Sequence, residues 1–489
     1  MFDGIKNWLR QVYSAFSGGG GRVSLTDGGT IRRAMAERAG GSALSTVSEQ
    51  MNSALELWSA MYSNRADWLG STCQSLNLPA AISSELARLA TLEAEVSVSG
   101  PGRGAYIDEQ MQPVYDRLRQ YTEYACALGG VVFKPYVSRK KTVAVDCVTP
   151  DYFIPTAFDS RGNMTGAVFA ERIYRGRLWY TKLERHGFEN GRYQVINKAY
   201  VSDQKAQLGR EITLDEVPEW EGLEPEIWFD GLEGPLFSYF RIPQANQVDP
   251  ASPLGVSVFS RAVDLIREAD RQYSRILWEY EGSELAVDAS IDLFMPGKDG
   301  KPVLPKGRER LFRALDVDLG VDGSVQKGLQ VFSPGIRDGS LYNGLEQLFR
   351  RIEYNCGMSY GALSKVEDTA KTATEIRASK QRLYATVTDI QKALEAALEG
   401  LASCIDALCS LHKLAPAGRW EMSAKWDDSI VVDSDTERMR DKEDVRDGIM
   451  QAWEFRAKWY GEDEATAKAA VGAQRTDDAY MGFHTHERL

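Results

Sequence analysis

The sequence predicts an α+β protein of several domains. Three observations carry that reading. The chain has 489 residues, too long for one compact domain and about three by length. A β-rich block from Val131 to Tyr200 is set between helical segments. An apolar stripe at helical spacing then runs unbroken from about 372 to 413.

The elements follow in chain order. Phe2, Ile5, Trp8, Leu9, Val12 and Phe16 form a helical stripe with Lys6 and Arg10 elsewhere, ended by Gly18 to Gly21. It reads as a short helix docking on its own chain or a neighbour, since its basic face is thin for a membrane surface. Residues 26–98 read as helical, with Ile82, Leu86, Leu89 and Val96 in register and Ser83 or Ser84 as N-cap. After Gly100-Pro101-Gly102 a second helix covers 107–128 and stops at Gly129-Gly130.

Val131 to Phe133, Thr142 to Val148, Val168 to Tyr174, Leu178 to Leu183 and Tyr193 to Tyr200 read as antiparallel strands. Turn signals at 160–163 and 189–191 separate some of them. The acidic stretch 203–235 reads as a surface excursion. Asp249-Pro250 and Ser252-Pro253 mark a boundary. From 256 the residues Phe259, Ala262, Ile266, Ala269, Tyr273, Ile276 and Tyr280 predict a long helix. A β-leaning excursion over 285–338 holds expected strands at 291–294, 311–317 and 329–332. A helix over 339–356 carries Leu341, Leu345, Leu348 and Ile352 on one face. Residues 357–371 lack periodicity and read as a loop. Thr372-Ala373-Thr374-Glu375 has capping-box spacing for the long helix that follows. Met422 to Val432 reads as a returning strand, and the acidic tail beyond it as helical, with Val445, Ile449, Trp453 and Trp459 as its apolar positions.

Composition excludes several function classes. Asp and Glu number 70 against 58 Lys and Arg, a formal net charge of -12. A protein that grips nucleic acid draws most of its affinity from a basic surplus, so this chain can surround DNA but is not built as a whole to grip it. The six cysteines form no CxxC pair and read as buried thiols. The four histidines form no zinc-spaced cluster, and His484-Thr485-His486 sits at a terminus. No transmembrane stretch and no signal-peptide core is present. There is no phosphate-binding loop, no GxSxG elbow and no HExxH. Asp427-Asp428 are adjacent, so on a strand they point to opposite faces and converge poorly on a metal. No catalytic group, metal or cofactor is expected.

Lys371 to Ile376 opening the long helix, Pro253-Leu254-Gly255-Val256-Ser257 opening the earlier one, and Ala127-Leu128-Gly129-Gly130 followed by a strand and the run Pro150 to Pro155 carry a resemblance. With the order of elements from about 80 to 470, the chain resembles the portal proteins of long-tailed bacteriophages. That resemblance implies a portal fold: an N-terminal wing region over 1–255, stem helices over 256–284 and 339–356, a β-containing clip over 285–338, a tunnel loop over 357–371, a long wing helix and returning strand over 372–432, and a helical crown over 433–489. It implies a non-enzymatic ring, usually a dodecamer, at one capsid vertex of the virion, assembled in the host cytoplasm. Its partners would be double-stranded DNA, the terminase large subunit, a head-completion adaptor and the capsid and scaffolding proteins, with no membrane. Lys365 and Lys371 in the loop and Arg267, Arg271 and Arg275 on the first stem helix would face the channel. Gly297, Lys298, Asp299 and Gly300 would form the clip tip that docks terminase or adaptor.

The charges agree with one physical requirement of such a channel. Arg261, Arg267, Arg271 and Arg275 are balanced by Asp264, Glu268, Asp270, Glu279, Glu281 and Glu284, and a near-neutral or acidic wall lets DNA slide. The competing expectations are another minor head or adaptor subunit, and a metal-dependent nuclease using Asp427 and Asp428.

Overall fold

The computed structural model describes residues 35, 47–92, 94–138, 141–283, 286–290, 312–315, 329–332, 335–365, 373–426 and 434–471. The chain divides into two compact units, residues 1–424 and 425–489.

In the first unit, α1 (Glu49–Tyr62) is capped by Ser48, whose Oγ accepts the Met51 amide at 3.2 Å. Helix α2 (Leu78–Thr91) carries a proline in its first turn. Ser83 is not its cap: it is buried inside the helix, and its hydroxyl donates to the Pro79 carbonyl at 2.8 Å. Strand β1 (Ala94–Ser99) corrects the helical reading of that segment, and it pairs with β14 (Glu421–Trp426). The helix expected over 107–128 is two helices, α3 (Arg103–Tyr115) and α4 (Leu118–Leu128). Pro113 lies in the last turn of α3 and supplies no amide hydrogen to continue the ladder.

Strands β2 (Gly130–Val137) and β3 (Val143–Val148) pair antiparallel, and β10 (Ser238–Arg241) completes a sheet of order β10-β2-β3. The long helix α7 (Ala373–His412) packs on this sheet. Its Ile390, Leu394, Leu398, Leu401, Ile405 and Leu408 are buried, together with Phe133 and Phe240 of the sheet. At one end of the sheet, two of the glycine-bearing segments meet. Gly129 caps α4 with φ 88°, and a Cβ on Gly129 or Gly255 would strike the other residue's backbone. The Val258 amide donates to the Cys126 carbonyl at 2.9 Å, closing the contact.

The second sheet has the order β4-β5-β6-β7-β8, with β9 also on β7, and every pairing is antiparallel. Its strands are β4 (Phe153–Phe158), β5 (Met164–Arg175), β6 (Leu178–Glu189), β7 (Arg192–Ser202), β8 (Arg210–Ile212) and β9 (Glu226–Phe229). The acidic stretch after β7 is not a surface excursion throughout. Leu214, Val217, Trp220 and Leu223 are buried, and Trp220 donates to Glu171 at 3.0 Å. The charge count of that stretch concealed the apolar residues spaced three apart within it.

The helix expected from 256 begins later, as α5 (Val263–Gly282), after a 3-10 turn at Ser260–Ala262. Val256, Val258 and Phe259 are fully buried in non-helical backbone, so their apolar spacing reports the core and not a helix face. Strands β11 (Ala286–Ser290), β12 (Phe312–Leu315) and β13 (Leu329–Phe332) form a small sheet of order β12-β11-β13. The strand expected at 291–294 lies outside the described residues. Helix α6 (Asp338–Asn355) follows. In the second unit, α8 (Ser434–Arg446) and α9 (Ala452–Tyr460) contact one another, and Trp459 donates to Asp441 at 2.8 Å. The N-terminal stripe, Thr372 and Asp427-Asp428 lie outside the described residues.

A buried ionic network joins the two larger sheets. Glu184 accepts from Lys134 at 2.9 Å and pairs with Lys182 at 3.3 Å, while Lys182 also pairs with Glu171 at 2.9 Å. The Tyr193 hydroxyl accepts the Leu236 amide at 3.0 Å, so its own hydrogen goes to His186 Nδ1 at 2.8 Å. His186 therefore carries its proton on Nε2 and donates to Glu184 at 2.7 Å. Burial works against both charges, but Lys134 and Lys182 outweigh it and hold Glu184 well below the usual carboxylate range. Glu171 and Glu184 do the same in the opposite sense for Lys182, which is held above its usual range.

Asp146, opposite Lys134 in the β2–β3 ladder, is pushed up to about 7 by burial, with Lys134 pulling the other way. A carboxyl raised in the folded state contributes stability at low pH that is lost as pH rises from about 4 to about 7. His186, lowered by burial, works in the opposite direction just below its ordinary value, so the two are separated only by a difference measurement. Parent and Asp146→Asn melts compared between about pH 5 and about pH 8 should diverge, with the parent losing stability relative to the variant as pH rises. A constant difference across that range would show that Asp146 titrates normally.

Candidate functional site

The pair α5–α6 and the loop after it form the best-defined candidate site. The helices run antiparallel and are clamped where α5 ends and α6 begins. Near the end of α5, Glu279 receives three bonds from Arg337: Nε at 3.0 Å, Nη2 at 2.8 Å and the backbone amide at 3.2 Å. The bidentate bond from Arg337 holds the Glu279 carboxyl below its usual range and raises the guanidinium. Further along, Gln272 Nε2 donates to the Leu341 carbonyl at 3.0 Å. The other side of α5 is tied to the segment between α1 and α2. Asp270 accepts from Trp68 Nε1 at 2.9 Å and from the Leu76 amide at 2.8 Å, and Ser274 Oγ accepts the Gln74 amide at 2.8 Å. Burial raises the Asp270 pKa.

The first nine residues of the expected tunnel loop do not project freely. Gly357 ends α6 with φ 72°, and the chain folds back along the helix. Glu353 is fully buried, and its carboxylate accepts the amides of Gly361 at 3.1 Å, Leu363 at 2.6 Å and Ser364 at 2.8 Å, plus the Ser364 hydroxyl at 2.8 Å. One helical face further back, seven residues before it, Glu346 accepts the Lys365 amide. Arg382 of α7 lies over Tyr354 at 4.4 Å and over Tyr360 at 5.3 Å, so α6, the loop and α7 share one cation–π contact.

The predicted channel cations fall on this frame as follows. Arg267, Arg271 and Arg275 lie four apart on α5. Arg267 pairs with Asp264 at 3.2 Å and covers Trp68 at 4.9 Å, Arg271 pairs with Glu268 at 2.6 Å, and Arg275 reaches Gln272 at 3.3 Å. Two of the three are therefore neutralised by a carboxylate one turn away. Lys365 is exposed. Lys371 and Gly297, Lys298, Asp299 and Gly300 lie outside the described residues. Sequence reasoning missed Glu353, Glu346 and Arg337, and took Glu279 as a channel charge, whereas these four hold the pair and its loop together. It also counted Asp270 as a channel acid, whereas Asp270 is nearly buried against Trp68. No group of side chains with metal-ligand geometry and no helix long and apolar enough to cross a membrane occurs among the described residues. The cysteines are unpaired, and burial pushes Cys356 and Cys404 up to about 12.

A family model, "Phage portal protein, SPP1 Gp6-like", matches residues 111–450, from α3 through α5, α6 and α7 to α8. The chain belongs to the phage portal protein family. The match takes in both clamped helices, the loop and the long helix, while Trp68, Gln74 and Leu76, which bond to α5, precede the family region. Among solved structures, a chain of "Neck of native GTA particle computed with C12 symmetry" is 13% identical to this portal-family chain, with a TM-score of 0.40 over 87% of this chain and 98% of that one. No curated protein sequence matches it.

Proposed function

We propose that this portal-family chain is the subunit of a closed ring, a dodecamer, through which double-stranded DNA enters and leaves a phage head. The observation that supports this best is the clamped α5–α6 pair with a loop held at its base, inside the region matched by the family model. In this reading α5 and α6 are the stem, 285–338 the clip, 357–371 the tunnel loop, the two larger sheets with α7 the wing, and the C-terminal helices the crown. The cations of α5 suit sliding contact with DNA. Arg267 and Arg271 are already paired, so a passing phosphate meets a weak and replaceable partner and does not stall. Lys365 and Lys371 would add transient contacts from the loop, and Gly297 to Gly300 would present the clip tip to the terminase large subunit during packaging and to a head-completion adaptor afterwards. The role is structural. The ATPase that drives packaging would be a separate protein, and capsid and scaffolding proteins would surround the ring at one vertex.

Purified chain, alone or with its scaffolding partner, should form closed rings with a central hole by electron microscopy. A strictly monomeric species by light scattering at micromolar concentration, with no rings even in the presence of scaffolding or capsid protein, would remove this function.

A further inference from the structure

The six-stranded sheet ends differently at its two extremities. At one end the β6–β7 hairpin turns through Asn190-Gly191, both with positive φ, the pair such a turn prefers. At the other end the β5–β6 hairpin turns through Gly176-Arg177, with φ of 58° and 67°. A left-handed arginine is disfavoured where asparagine or glycine would serve without strain. Strain of this kind points to a use for the side chain.

The surroundings show what that use is. Arg177 is exposed at the tip. Trp179 lies under two cations, with Arg172 at 4.4 Å and Lys205 at 5.7 Å from its ring, and Arg172 also donates to the Lys205 carbonyl at 2.7 Å. Tyr174 stacks against Trp179 at 4.7 Å and is 59% exposed. Arg175 and Arg210 join them on the neighbouring strand positions, Arg210 being opposite Val201. This end of the sheet thus gathers five cations, Arg172, Arg175, Arg177, Lys205 and Arg210. Asp203 and Glu211 are their neighbours along the chain, and Glu219 is paired with Arg175. In a chain of net charge -12 this is a local reversal of sign. Cations held over an aromatic ring lose little freedom on meeting an anion.

We propose that the β5–β6 hairpin end is a binding site for the phosphate backbone of duplex DNA, outside any channel the chain forms. The array is cationic and draws on the β5–β6 turn, the strand ends beside it and the segment after β7. It suits a continuous polyanion, contacted without base readout.

Topology separates binding at this site from binding within a channel. A covalently closed circular duplex cannot thread a closed ring, so its binding reports the outer surface alone, whether or not the channel reading holds. Fluorescence anisotropy with a labelled minicircle should show binding by the parent that weakens with salt. Arg177→Asn should fold at least as well as the parent, because asparagine tolerates the left-handed backbone, and should bind about tenfold more weakly at 0.1 M salt. Adding Lys205→Gln should cost about tenfold again and lower the salt slope by about 2 in total. Arg177→Lys should restore most of the loss. The proposal is overturned if the minicircle binds the parent and the double variant equally, or if the parent ignores the minicircle but binds polyglutamate. The second result would assign the patch to an acidic protein instead.

Discussion

Replacing Glu184 by alanine should destabilise the first unit by about 3–5 kcal/mol, the cost of removing one member of a buried ion pair. Lys134 and Lys182 are 12% and 3% exposed, and Lys134 would lose the carboxylate it pairs with at 2.9 Å. Lys182 keeps Glu171, so Lys134 bears most of the loss. His186 also loses the acceptor that fixes its tautomer, and through Tyr193 that change reaches the Leu236 amide. The denaturant midpoint at unchanged slope is the measurement. The double change Lys134→Met with Glu184→Leu should be near neutral, because it removes both charges together and leaves hydrophobic volume behind. A loss below about 1 kcal/mol for Glu184→Ala would mean that water reaches the network in solution.

Glu353→Ala should release the loop from α6 with little effect on the rest of the fold. Three amides and one hydroxyl converge on this carboxylate, and a hydrogen bond to a charged group contributes about 1.5–3 kcal/mol. The loop cannot stay in place with those donors buried and unmatched, so it should move out to water. Amide exchange at Gly361, Leu363 and Ser364 should then accelerate by about a hundredfold or more. Glu353→Gln should fall between parent and alanine, since one oxygen can still accept. On the proposed function, particles carrying Glu353→Ala should assemble rings but hold less genome. Unchanged exchange at these three amides would show that the backbone, and not Glu353, sets the loop. The same clamp bears on loop deletions. Removing 362–368 takes away two of the amides that satisfy Glu353 and leaves a buried carboxylate short of donors, so it tests folding as well as channel contact.

Much of the architecture was legible in the residues. The five strand runs expected between Val131 and Tyr200 correspond to β2, β3, β5, β6 and β7, while β4 between them was not expected, and the periodic stripes over 339–356 and 372–413 correspond to α6 and α7 within a residue or so at each end. Those segments are regular and long, and their period is set by the geometry of one face against the core. Strand β1 was not legible, because its partner is β14. The bond from Ser99 to Glu421 spans 322 residues, and the short alternation of Val96 and Val98 with Glu95, Ser97 and Ser99 was absorbed into the helical stripe before it. The late start of α5 was hidden for a related reason. Val256, Val258 and Phe259 are buried on all sides, and a residue buried all round contributes apolar spacing to any period.

The candidate site divides along the same line. The resemblance implied a channel face for Arg267, Arg271 and Arg275; helical spacing places them four apart on α5, and the structure adds the partners of each. By itself the sequence determined the acidic balance of the chain, the alternation of helix and strand, the helix pair with a loop after it, and the family the order of elements resembles. Only the tertiary structure decided which charges are spent. Asp270, Glu279, Glu346 and Glu353 are all carboxylates on two amphipathic helices; in the sequence the first two count toward the charge balance of a channel wall, and the last two carry no signal. In the folded chain Asp270 holds Trp68, Glu279 holds Arg337, and Glu346 and Glu353 hold the loop. The physical reason is that a carboxylate's role depends on the donors that reach it. Those donors are backbone amides and side chains brought in from other elements, which helical period cannot reveal.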